Sequence, residues 1–111
     1  MPISAYSTPF ELEHALKLSK CTRLFVSDSL MPLVLPVAKK LGISSSKIYV
    51  LVGQWKGHKS FSKLIADIQT KSVTSVAVRS ATKDTLAYLL FSSGTTGLPK
   101  GAFHWQFQVV W

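Results

Sequence analysis

Residues 89–103 read LLFSSGTTGLPKGAF. A run of large apolar residues empties into Ser92-Ser93-Gly94-Thr95-Thr96-Gly97, and Lys100 follows three positions later. The approach, Thr85 to Phe91, has the composition of a buried strand. A strand that ends in glycines and hydroxyls can aim several backbone N–H groups at one point, because glycine accepts positive φ and leaves no side chain in the way. Such a nest suits an anion. Ser92, Ser93, Thr95 and Thr96 add uncharged donors, and Lys100 adds a compact positive charge matched to polyphosphate oxygens. Pro99 stiffens the backbone just before that lysine. On composition alone, a plain hairpin turn of small residues remains the alternative. The spacing excludes a Walker loop, which needs Gly-x-x-x-x-Gly-Lys and then Ser or Thr. Here Gly94 and Gly97 are three apart, and Gly101 follows the lysine.

Upstream, helices and strands alternate. Thr8-Pro9-Phe10-Glu11 has the form of a capping box with proline at the first helical position, so a helix is expected from there to about Ser19 or Lys20, with Leu12, Ala15 and Leu16 on its apolar face. Arg23 to Ser27 reads as a short buried strand feeding a second helix over about 32–41. That helix should turn Val34, Val37, Ala38 and Leu41 inward and stop at Gly42, with a kink or late start at Pro36. Ile48 to Val52, IYVLV, reads as a strand buried on both faces of a parallel sheet. GQWKGHKS is a loop. Ser60 should cap a third helix in which Phe61, Leu64, Ile65 and Ile68 repeat at helical spacing, as core packing. Residues 71–83 lack a clear period and read as a connection with room for one short strand. The order predicts an α/β fold with a partial, largely parallel sheet and flanking helices.

The 111 residues allow one domain or a piece of one, and 47% hydrophobic against 16% charged residues excludes a disordered chain. Thirteen Lys and Arg against five Asp and Glu give a net charge of +8. The lysines are scattered and only Arg23 and Arg79 supply guanidinium groups, which favours a solvated basic surface over a nucleic-acid site. Cys21 is the single cysteine, so no intramolecular disulfide exists. No signal sequence opens the chain and no apolar run approaches the roughly 18 residues of a membrane span. An intracellular, cytoplasmic location is expected; the ending QVVW carries no peroxisomal signal, and a full-length form could still have one. His14, His58 and His104 lie far apart with no acid or thiol at metal spacing, so surface or packing roles are expected and no metal site.

The uninterrupted stretch Ser92 to Gly101 closely resembles the phosphate-binding signature of the adenylate-forming (AMP-binding) enzymes, a family that includes acyl-CoA synthetases, 4-coumarate-CoA ligase-like proteins and firefly luciferase. The segments ELEHALKLSK, RLFVS, VAKKLG and ATKDTLAYLLFSSG resemble the region preceding that signature in fungal members, so the likeness covers about residues 4–101. It implies part of a large N-terminal α/β domain, with residues 102–111 as a divergent tail. It also implies activation of a carboxylic acid by MgATP to an acyl-adenylate and pyrophosphate, then transfer to coenzyme A. By position, Ser92, Ser93, Gly94, Thr95, Thr96, Gly97 and Lys100 become the contacts to the ATP phosphates.

After Gly101 the pattern departs from the family. The family has a histidine five residues beyond that glycine, whereas His104 comes two positions early, so it receives no role. The alternation of Phe103, Trp105, Phe107 and Val109 with His104, Gln106 and Gln108 still suits a strand. The family's adenine and acyl pockets, magnesium-binding acid, ribose-binding aspartate and catalytic lysine would lie beyond residue 111. The expectation is therefore a ligase fragment with the ATP-phosphate loop, no catalytic residue and no turnover alone. It should carry uncovered sheet edges and apolar faces open to aggregation or self-association. The alternatives are a non-catalytic basic module for nucleic acid or anionic surfaces, and a truncated product without function.

Overall fold

The computed structural model describes residues 1–71, 80–92 and 100–105. The chain divides into two compact units, Cys21–Ser75 and Met1–Lys20 with Val76–Trp111.

The first unit is a small α/β layer. Strand β1 (Leu24–Val26) pairs in parallel with β2 (Ile48–Val50), with Phe25 opposite Tyr49. Two backbone bonds carry the ladder past the named strands: Leu51 N–H donates to the Val26 carbonyl (2.8 Å) and Asp28 N–H to the Val52 carbonyl (3.1 Å). Between the strands a 3-10 turn (Asp28–Leu30) leads into α2 (Met31–Lys40). The core holds Val26, Ile48 and Val50 from the strands with Met31, Val34, Val37 and Ala38 from α2.

Of the kink or late start expected of Pro36, helix α2 rules out the late start. The chain is already turning through Asp28–Leu30, and Pro32 sits in the first turn where no donor is needed, so the helix begins at Met31 and continues through Pro36. Its end follows the glycine. Gly42 takes φ +71°, its N–H donates to the Lys39 carbonyl, and the Ile43 N–H donates to the Ala38 carbonyl, which is a Schellman closure.

The strand expected over Ile48–Val52 is shorter and is not buried on both faces. Tyr49 is half-buried, and Leu51 and Val52 are exposed. Helix α3 (Phe61–Thr70) forms where its spacing predicts, with Ser60 Oγ accepting from the Lys63 N–H at 3.2 Å. The core packing expected of its apolar residues is overturned: Phe61 is 42%, Ile65 41% and Ile68 52% exposed, and only Leu64 is half-buried. Helical spacing places these residues on one side without fixing what packs against it, and among the described residues they are left only partly covered.

The 53–60 loop is fastened to β2. Val50 N–H donates to the Lys59 carbonyl (2.9 Å), and the His58 ring sets Nδ1 2.9 Å from the Ile48 carbonyl and Nε2 3.3 Å from Ser45 Oγ. A carbonyl only accepts, so Nδ1 carries the proton and in the neutral ring Nε2 accepts from the serine. His58 thus has the packing role expected of it.

In the second unit, α1 (Pro9–Ser19) starts at a complete capping box. Thr8 Oγ1 accepts from the Glu11 N–H (3.3 Å) while Glu11 Oε2 accepts from the Thr8 N–H (2.7 Å). The Thr8 N–H, and after it the Thr8 hydroxyl that also donates to Oε2 (2.9 Å), hold the Glu11 carboxyl below its ordinary pKa of 4.5. Leu12, Ala15 and Leu16 are buried, and Lys20 closes the helix at φ +49°. Strands β3 (Leu86–Ser92) and β4 (Lys100–Trp105) form an antiparallel hairpin. The α/β class stands, with a small parallel sheet, while the second sheet is antiparallel.

Candidate functional site

The site is built on the β3–β4 hairpin. Its entry is a turn in which Thr85 N–H donates to the Thr82 carbonyl (3.0 Å) and the Thr82 N–H to Thr85 Oγ1 (2.9 Å). The sequence LAYLLFS then supplies aromatic and branched residues that favour an extended backbone. Six register pairs run from Leu86 opposite Trp105 to Ser92 opposite Lys100, with an irregularity between Leu86 and Tyr88.

That last pair is the informative one. Ser92 and Lys100, the first and last of the predicted phosphate contacts, are direct partners across the ladder, so the two ends of the signature are held side by side. Paired strands put such Cα atoms about 4.5–5.5 Å apart. Lys100 is exposed at this end of the hairpin. Next to it, Gly101 opposes Phe91, and a Cβ there would meet Leu89 Cδ1 at 3.4 Å and Phe91 Cε1 at 3.6 Å, which is ordinary contact. Ser93, Gly94, Thr95, Thr96 and Gly97 lie outside the described residues.

Of the strand expected in the tail, residues 103–105 lie in β4, where Phe103 is exposed and His104 pairs with Tyr88 and is half-buried; residues 106–111 lie outside the described residues. Among the described residues no group of three or more His, Cys, Asp or Glu side chains could hold a metal ion. No described helix is long and apolar enough to cross a membrane. The sequence did not signal which residue would pair with Lys100, because β4 begins at that lysine and its first residues, Lys, Gly and Ala, are not strand formers.

Comparison with known proteins adds an independent line. A family model described as AMP-binding enzyme matches residues 1–111. The rat (Rattus norvegicus) mitochondrial acyl-coenzyme A synthetase ACSM4 is 30% identical over 106 residues, which is 96% of this chain and 18% of the relative. Among solved structures, the anthranilate CoA ligase AuaEII in complex with anthranoyl-AMP superposes with a TM-score of 0.75 at 28% identity, over 93% of this chain and 19% of that one. The luciferase-like enzyme of the nonluminescent mealworm Zophobas morio gives 0.68 at 26% identity, over 90% and 23%. The chain spans about a fifth of the length of each of these relatives.

Proposed function

Because the chain belongs to the AMP-binding enzyme family, we propose that it carries the ATP-phosphate loop of an acid-CoA ligase of the 4-coumarate-CoA ligase-like kind. In this reading Ser92, Ser93, Gly94, Thr95, Thr96, Gly97 and Lys100 receive the β- and γ-phosphates. The observation that supports it is the pairing of Ser92 with Lys100, which keeps the lysine beside the start of the serine-rich, glycine-rich segment.

The chemistry is substitution at the α-phosphorus. A carboxylate oxygen of the acid attacks, the bond to the bridging oxygen breaks, and pyrophosphate departs with the charge it gains. Amide and hydroxyl donors fixed in advance around that leaving group stabilise the charge without reorganising. Lys100 adds a full positive charge at the same place. ATP enters as substrate; the thiol of coenzyme A would then attack the acyl-adenylate carbonyl, forming the thioester as the bond to AMP breaks and AMP leaves. Among the described residues no group of three or more His, Cys, Asp or Glu side chains gathers, and no step is assigned to a metal held by this chain. The relative solved with anthranoyl-AMP makes an aromatic acid one candidate substrate class; fatty acids are the other.

Binding of pyrophosphate and ATP to the full chain, measured by calorimetry, tests this reading. Lys100→Ala should weaken both about tenfold or more, the scale of a charged hydrogen bond, and AMP should compete poorly. Equal binding by the variant, or equal competition by AMP, would refute it. ATP–pyrophosphate exchange with aryl and fatty acids should be absent from this chain alone.

A further inference from the structure

The unit Cys21–Ser75 contains Arg23 and seven of the lysines but only two acids, Asp28 and Asp67, so it carries six of the molecule's eight surplus positive charges. Asp67 is already engaged, with Lys59 Nζ 3.7 Å from Oδ2. The same unit has an apolar strip that the described residues leave only partly covered. Phe25 and Tyr49, partners on the open side of the parallel sheet, stack at 5.2 Å between ring centroids, and Phe61 meets Phe25 edge-on at 6.1 Å. Ile65 and Ile68 extend the strip along α3 at helical spacing. Exposed basic residues border it: Arg23 and Lys47 immediately precede the two strands, and Lys59 and Lys71 flank α3.

We propose that this strip docks on an anionic lipid surface. Aromatic and branched side chains would enter the headgroup boundary while the bordering cations meet lipid phosphates and carboxylates, the arrangement by which short amphipathic helices lie on membranes. Charge complementarity selects this occupant over another apolar protein face. Phosphate and base recognition in nucleic acid favours guanidinium groups, and this unit has one.

Co-sedimentation of the full chain with phosphatidylcholine vesicles, with and without phosphatidylserine, tests the proposal. Binding is expected only to the serine-lipid vesicles and should fall with added salt. Ile65→Ser should reduce it about tenfold, from the apolar area lost, and Lys71→Glu about fivefold, from the charge lost. Both side chains are exposed, so circular dichroism of the variants should match the parent. Equal binding to neutral vesicles, binding unchanged by the two variants, or no binding would overturn the proposal. So would tighter binding to single-stranded RNA than to vesicles, or vesicle-free oligomers that Ile65→Ser dissociates.

Discussion

A Cβ placed on Gly53 would fall on the Asp28 carboxylate, against its Oδ2 and Cγ atoms. Gly53 also sits at φ +79°, where a side chain is disfavoured even without a neighbour. The Asp28 carboxylate is held in place by accepting from the Ser29 N–H at 2.7 Å, so it cannot yield freely. Gly53→Ala should therefore destabilise the unit by about 1–3 kcal/mol, read as faster amide exchange at Asp28 and Leu51. An unchanged exchange rate at both amides would contradict this packing.

His58 gives a second expectation. Replacing it with phenylalanine keeps a ring but removes the donor to the Ile48 carbonyl and the partner of Ser45. Losing a hydrogen bond of about 1 kcal/mol opens the 53–60 loop roughly fivefold more often. Limited trypsin digestion at Lys56 and Lys59 should accelerate by that factor, with cleavage at Lys17 unaffected.

The capping box makes α1 sensitive to acid. Glu11 titrates lower in the folded chain than its ordinary 4.5, because its carboxylate accepts from Thr8. Its contribution is present above 4.5 and is lost as pH falls through the depressed folded value. Helicity of α1 should drop on acidification below 4.5, and Thr8→Ala, at a cost of about 0.5–2 kcal/mol, should reduce that pH dependence without abolishing it, since the backbone N–H at position 8 still donates to the carboxylate. Circular dichroism across pH 2–6 compares the two chains.

The exposed strip on α3 predicts binding of a hydrophobic dye and a broad thermal transition, since exposed apolar surface without fixed packing weakens cooperativity. Dye fluorescence should fall in Ile65→Ser. A sharp melt in a monodisperse sample with no dye signal would contradict it.

Much of this was legible because the signals are local. Thr8 with Glu11, Ser60 with Lys63, and Gly42 each act within one helical turn, and each stands where the sequence puts it. The α3 face was misread for the complementary reason. Spacing fixes which side Phe61, Ile65 and Ile68 share, while burial depends on what the fold brings against that side. Strand pairing is likewise non-local: the order of elements favoured parallel neighbours, and the Ser92–Lys100 register only becomes evident once β4 is seen to start at the lysine. The predicted contacts from Ser93 to Gly97 lie outside the described residues.

The eight-residue separation of Ser92 and Lys100 has a kinetic consequence. Closing so short a span is a local event of about 1–10 μs for a hairpin, whereas Leu24 must meet Ile48 across an intervening helix before β1 and β2 can pair. During refolding the rim of the signature should acquire its protection before the parallel ladder does, and it should do so without help from the far end of the chain.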